Sequence, residues 1–124
     1  MQRKTILIVE DEAVAGFAMR ETLERRGFHV PEVVAKGDEV LPSVLRHNPD
    51  LLLMDIRLNG FLDGIDAVKR LQVLRPVPVI FISSFWDDEN RNRLKGLTHN
   101  GCLVKPVKEE DLFEAIEAAL TCQN

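Results

Sequence analysis

The sequence has few cysteines, no excess of basic residues and no apolar run of membrane-spanning length. Its two cysteines, Cys102 and Cys122, form neither a CxxC pair nor a zinc-ligand spacing, so we expect free thiols. The net charge of −4 argues against the basic face that nucleic-acid binding needs. The N-terminus lacks the pattern of a signal peptide, and we expect a cytoplasmic protein with no membrane anchor.

The chain also has no Ser/Gly-rich linker, internal repeat or low-complexity tract. Its 124 residues are the size of one domain, and 45% hydrophobic with 29% charged residues is the composition of a globular one. We therefore expect a single domain over residues 1–124.

Short apolar runs rich in β-branched residues alternate with longer helical patterns. Runs such as ILIV, LLLM and VIFI are continuously apolar, as parallel strands covered by helices on both faces must be. The predicted strands cover 4–9, 29–35, 50–54, 78–83 and 101–104, and the predicted helices cover 12–26, 37–47, 64–74, 87–98 and 108–121. This alternation predicts an α/β fold with a doubly wound parallel sheet.

Local signals refine these elements. Pro31 cannot donate to a strand ladder, which indicates that the second strand lies at a sheet edge. Asp63 is a good N-cap for the third helix, and Ser83 or Ser84 can cap the fourth. The fourth helix has few apolar residues and contains Gly96, so we expect low local stability there.

Charged side chains follow the predicted strands at the edge where such sheets bind ligands. Glu10 and Asp11 follow the first strand, Asp55 the third, and Lys105 the fifth. If the first and third strands are neighbours, three carboxylates converge, and they either raise one another's pKa or need a metal ion to hold them ionised. An oxygen-only ligand set suits Mg²⁺.

An aspartate beside Mg²⁺ and a lysine can act as a nucleophile toward phosphorus. We expect Asp55 in this role, with Lys105 neutralising a phosphoryl oxygen and Ser83 donating its hydroxyl to another. Ser84 is small and leaves room for the phosphoryl group.

Four motifs, in this order, resemble the receiver domain of two-component response regulators of the chemotaxis-regulator type. They are ILIVEDE with the acidic pair, LLLMDIRL with the acceptor, IFISS with the hydroxyl and LVKPV with the lysine. The resemblance implies a five-stranded (βα)5 flavodoxin-like sheet of order 2-1-3-4-5. It also implies a switch: Asp55 accepts a phosphoryl group from a sensor histidine kinase or phosphotransfer protein. The surface of the fourth and fifth strands and helices then signals to a downstream protein or a fused output domain.

The resemblance also assigns roles to individual residues. The implied Mg²⁺ ligands are Asp11, Asp55, the main-chain carbonyl of Arg57 and, through water, Glu10. Ser83 and Lys105 are implied to contact the acyl phosphate, and the Lys105–Pro106 bond is implied to be cis. Such a domain catalyses only its own phosphorylation and dephosphorylation, and it is not an enzyme with a separate substrate.

This sequence departs from the family pattern at several positions. The first acid is Glu10 rather than the commoner aspartate, and the loop NGFLDG is one residue longer than usual, with Asn59 where proline is common. Cys102 stands where the family usually has an aromatic residue, so the switch must work through strand, loop and helix shifts. The bulk of Arg57 and Phe85 beside the site is expected to slow hydrolysis of the phosphorylated state.

Two enzyme classes compete with the switch interpretation. A small haloacid-dehalogenase-type phosphatase also uses a nucleophilic aspartate, Mg²⁺, a hydroxyl and a lysine, but it needs a second aspartate where this chain has Arg57. A metal-dependent nucleic-acid enzyme would need a DxD that Arg57 also interrupts. The sequence leaves open whether the receiver stands alone or belongs to a longer regulator or hybrid kinase.

Overall fold

The computed structural model describes residues 3–84 and 86–121. Its strands are β1 (Ile6–Val9), β2 (Val33–Val34), β3 (Leu51–Asp55), β4 (Val79–Ser83) and β5 (Cys102–Val104). They form one parallel sheet in the order β2-β1-β3-β4-β5. The helices are α1 (Ala13–Arg25), α2 (Val40–His47), α3 (Gly64–Leu74), α4 (Asp88–Leu94) and α5 (Glu109–Thr121), with a short 3-10 helix at Gly37–Glu39. The predicted doubly wound α/β fold is confirmed.

Successive residues of each strand enter two separate cores. In β1, Leu7 and Val9 pack in the core covered by α2, α3 and α4, whereas Ile6 and Ile8 pack in the core covered by α1 and α5. All residues of β1, β3 and β4 are buried. Burial on both faces is why these runs are continuously apolar instead of alternating.

The second strand is much shorter than predicted. Within the expected range 29–35, only Val33–Val34 pair with β1, and His29 adds one isolated bridge to Thr5. Pro31 lies between the two pairings and has no N–H to donate, which explains the interruption. The edge position predicted from Pro31 is confirmed by the strand order.

Two predicted helices have different bounds. The predicted helix 37–47 begins as the 3-10 helix and becomes α-helical at Val40, which leaves Pro42 in the first turn of α2. The predicted helix 87–98 ends at Leu94, because Lys95 is extended and Gly96 has a φ of +79°. The fourth helix is therefore only seven residues long.

Two expectations from local patterns are not met. The three- and four-residue spacing of Ala15, Ala18, Met19 and Leu23 predicts one face of α1, but Ala18 is exposed, whereas Met19 and Leu23 pack in the core with α5. The N-cap of α4 is Asp87, whose side chain accepts a hydrogen bond from the Asn90 N–H at 2.9 Å, so neither serine caps this helix.

The predicted cap of α3 is confirmed. Asp63 accepts a hydrogen bond from the N–H of Asp66 at 3.0 Å. Across residues 3–84 and 86–121, the longest helices have 13 residues, and none is long and apolar enough to cross a bilayer.

Candidate functional site

Three carboxylates meet at the carboxyl edge of the sheet. Glu10 follows β1 directly, Asp11 comes next, and Asp55 ends the neighbouring strand β3. One oxygen from each lies within 4.8 Å of the other two. Glu10 and Asp55 are only 4% and 7% exposed, so their charges need compensation.

Lys105 supplies that compensation from the end of β5. Its Nζ donates to Glu10 Oε1 at 2.7 Å and to Asp55 Oδ2 at 2.8 Å. Burial lowers the pKa of Lys105, but the hydrogen bonds and charges of Asp55 and Glu10 outweigh it, and the pKa lies above its ordinary value. The ammonium therefore bridges two of the three carboxylates.

Main-chain N–H groups contact three further oxygens of these carboxylates. Arg57 donates to Asp55 Oδ1 at 3.0 Å, and Asn59 donates to Asp11 Oδ2 at 3.2 Å. Glu10 Oε2 accepts from Glu12 at 3.2 Å. The loop after β3 is therefore held to the acidic cluster at two residues, Arg57 and Asn59.

The hydroxyl and lysine motifs lie side by side. Ser83 pairs in register with Val104, and its carbonyl accepts a hydrogen bond from the Lys105 N–H at 2.8 Å. Ser83 is buried, whereas the exposed Ser84 lines a cavity of about 370 Å³ beside Asp55. The Lys105–Pro106 bond is cis, as the resemblance implied.

A glycine that the sequence prediction did not single out brings helix α3 against strand β3. A Cβ atom on Gly64 would lie 2.1 Å from the main-chain oxygen of Asp55 and 2.9 Å from the Met54 side chain. Only a residue without a Cβ permits this approach. The glycine after a helix-capping aspartate was the available sequence signal.

Cys102 lies at the position where the family usually has an aromatic side chain. It pairs with Phe81 across the sheet and packs partly buried against the core of α2, α3 and α4. Burial raises the pKa of its thiol to about 11, so it is protonated at neutral pH.

The structure brings most of the predicted site residues together. Glu10, Asp11, Asp55 and Lys105 form one cluster, and Arg57 contacts it through its main chain. Phe85, expected to influence phosphoryl lifetime, lies outside the described residues, and so does Cys122. That lifetime expectation stays a prediction.

Comparison with known proteins points to one family. The sequence model of the "Response regulator receiver domain" family matches residues 6–117. The transcriptional regulatory protein PdtaR of Mycobacterium tuberculosis is 30% identical over 118 residues, covering 95% of this chain and 57% of the relative. The chain thus spans little more than half the length of that curated relative.

Solved structures give the same result. The signal receiver domain of a modulated diguanylate cyclase from Desulfovibrio desulfuricans is 37% identical, with a TM-score of 0.89 and coverage of 97% of this chain and 95% of that one. A CheY-like receiver domain protein from Methanospirillum hungatei is 28% identical, also with a TM-score of 0.89 and coverages of 97% and 95%. The haloacid-dehalogenase alternative gains no support from these relatives.

Proposed function

From the premise that this chain belongs to the family of response regulator receiver domains, which are phosphorylation-dependent signalling switches, we propose that Asp55 is its phosphoacceptor. The observation that carries the proposal is the contact between Lys105 Nζ and Asp55 Oδ2 at 2.8 Å inside an acidic cluster. The Lys105 ammonium offsets the negative charge of this buried carboxylate, whose oxygen is the proposed nucleophile.

The transfer is a displacement at phosphorus. One oxygen of Asp55 attacks the phosphorus of a phosphohistidine on the donor protein, and the P–N bond breaks. The leaving imidazole keeps the bonding electrons and takes up a proton, while the acceptor becomes an acyl phosphate. Lys105 then moves from the Asp55 oxygen to a phosphoryl oxygen, and the Ser83 hydroxyl donates to another. Ser84, on the cavity wall, leaves room for the group to enter.

The donor set fits Mg²⁺. Three carboxylates converge, two of them are buried, and Lys105 is the cation that contacts this cluster in the part of the chain described. Asp11, Asp55 and the main-chain carbonyl of Arg57 would hold the ion, with Glu10 acting through water. When bound, Mg²⁺ would offset the negative charge shared by the acceptor and the phosphoryl oxygens.

We further propose that residues 1–124 are one cytoplasmic receiver domain whose phosphodonor is a sensor histidine kinase or phosphotransfer protein. The domain then acts through a downstream protein or a fused output domain, without direct contact to nucleic acid or membrane. The net charge of −4 supports protein contact over nucleic-acid contact. It catalyses only its own phosphorylation and dephosphorylation.

The test is phosphorylation by a small donor. The protein is incubated with acetyl phosphate and Mg²⁺, and its intact mass is measured. The wild type is expected to gain one phosphoryl group, and Asp55→Asn none. Asp88→Asn removes an exposed aspartate from α4 and is the matched control that should still gain the group. Equal labelling of wild type and Asp55→Asn would contradict the proposal.

A further inference from the structure

We propose that an ion-pair cluster between α4 and the start of α3 carries the state of Asp55 to α4. The cluster consists of Arg93 on α4 and of Asp63 and Asp66 at the N-terminus of α3, and we call it the Arg93 clamp. The inference rests on the proposed function of Asp55, since it names how that site reaches the signalling surface.

The clamp has the geometry of a specific contact. Arg93 Nη2 donates to Asp63 Oδ1 at 2.9 Å and to Asp66 Oδ1 at 3.2 Å, while Nη1 donates to Asp63 Oδ2 at 2.5 Å. The side chains of Arg93 and Asp63 are each only 27% exposed. Burial raises the pKa of Asp63, but Arg93 and the Asp66 N–H outweigh it and lower the pKa overall. Because two N–H groups of one guanidinium bond to the two oxygens of one carboxylate, the pair fixes the orientation of Arg93 relative to Asp63.

One end of the clamp is tied to the acceptor. Asp63 closes the loop that begins after Asp55 and caps α3. The next residue, Gly64, donates its N–H to the Ile56 carbonyl at 2.8 Å and lies against the main-chain oxygen of Asp55. A movement of the Asp55 main chain therefore displaces Gly64, which lies in close contact with it, and with Gly64 the preceding residue Asp63.

The other end of the clamp holds a weakly anchored helix. Within Asp88–Leu94, only Leu94 is buried, and beyond the helix Gly96 adopts a left-handed conformation. A seven-residue helix with one apolar anchor has little stability of its own. Its position therefore depends strongly on the three hydrogen bonds of Arg93.

The clamp also gives a route for the signal to α4 that does not depend on Cys102. A partly buried thiol has no ring that could rotate between two positions, so a signal to α4 needs another element with two states. In this proposal the Arg93 clamp is that element, made in one state of Asp55 and broken in the other, and it joins the loop after Asp55 directly to α4.

Amide hydrogen exchange of residues 88–98, with and without Mg²⁺ and beryllofluoride, tests this coupling. In the wild type we expect the phosphoryl mimic to change the exchange of these amides. In Arg93→Gln, exchange in the free protein should be about tenfold faster, and the change on adding the mimic should be lost. Arg91→Gln removes the same charge two residues away, from a more exposed side chain, and should behave like wild type.

A second variant and a binding measurement separate the possible failures. Asp63→Asn keeps a capping oxygen for α3 but removes the charge, and it should reproduce Arg93→Gln. Binding of the mimic is followed by fluorine NMR in each variant. If Arg93→Gln binds the mimic and its amides 88–98 still show the full wild-type change in exchange, the clamp does not transmit the signal. The same holds if these amides exchange faster than in wild type by the same factor with and without the mimic. If the wild type fails to bind the mimic, the proposed function itself fails.

Discussion

Replacing Asp11 with asparagine is expected to stabilise the metal-free protein and to abolish its stabilisation by Mg²⁺. Asp11 faces two carboxylates, Glu10 and Asp55, and the single ammonium of Lys105 that bonds to both. The net charge opposing Asp11 is therefore one negative unit. At 4.8 Å, the upper limit of the separation between the carboxylate oxygens, this repulsion is about 3.5 kcal/mol at an effective dielectric constant of about 20 and about 0.9 kcal/mol in water.

The lower value applies because Asp11 is partly exposed. The negative charge of Asp11 near the N-terminus of α1 stabilises the folded protein by about 0.3–1 kcal/mol, and the substitution removes this stabilisation. An asparagine oxygen can still accept the hydrogen bond from the Asn59 N–H. The expected net gain in the free energy of unfolding is therefore small, about 0–0.6 kcal/mol without metal.

Urea unfolding in EDTA and in a series of Mg²⁺ concentrations measures both effects. At a hundredfold excess of Mg²⁺ over its dissociation constant, the wild type should gain about 2.7 kcal/mol, and Asp11→Asn should gain nothing. Asp88→Asn, on an exposed side chain of α4, should keep the full gain. An Asp11→Asn protein that is less stable in EDTA by more than about 0.5 kcal/mol, or an undiminished gain with Mg²⁺, would refute the reasoning.

Four further substitutions or measurements test other parts of the site. Lys105→Met should destabilise the metal-free protein by about 2–4 kcal/mol, because two buried carboxylates lose their cation. The pKa of Lys105 is raised, so its contribution to the free energy of unfolding is complete below the ordinary pKa of 10.5 and is lost as pH rises through the raised value. The free energies of unfolding of Lys105→Met and wild type, measured in urea, should therefore converge at alkaline pH. Gly64→Ala should cost about 1–3 kcal/mol in urea and slow labelling by acetyl phosphate, because its methyl group overlaps the main chain of Asp55; unchanged labelling would contradict the close approach. In a Cys122→Ser variant, Cys102 should react with a thiol reagent at pH 8 roughly two orders of magnitude more slowly than an unperturbed thiol, because its pKa is about 11. A reaction rate equal to that of an unperturbed thiol would show that burial does not shield Cys102. Amides of α4 should exchange faster than those of β1 and β3, and equal protection would count against a weakly held helix.

Much of this fold follows from local pattern. Continuous apolar runs require strands covered on both faces. Helical periodicity and the N-cap Asp63 predict both ends of α3 correctly, at Gly64 and Leu74. The short β2 and the early end of α4 were missed, because pairing length and the path after Leu94 depend on neighbours that a local window does not contain.

The chemical identity of the site was also determined by the sequence. Acidic residues after β1 and β3, hydroxyls after β4 and a lysine after β5 are positions along the chain, and parallel strands bring their ends to one edge. What only the tertiary structure decided is which groups contact one another: Lys105 bridges Glu10 and Asp55. Gly64 lies against the main chain of Asp55, and Arg93 bonds to Asp63. These contacts join residues far apart in the chain, and their distances are set by how helices pack on the sheet, which residue order alone does not specify.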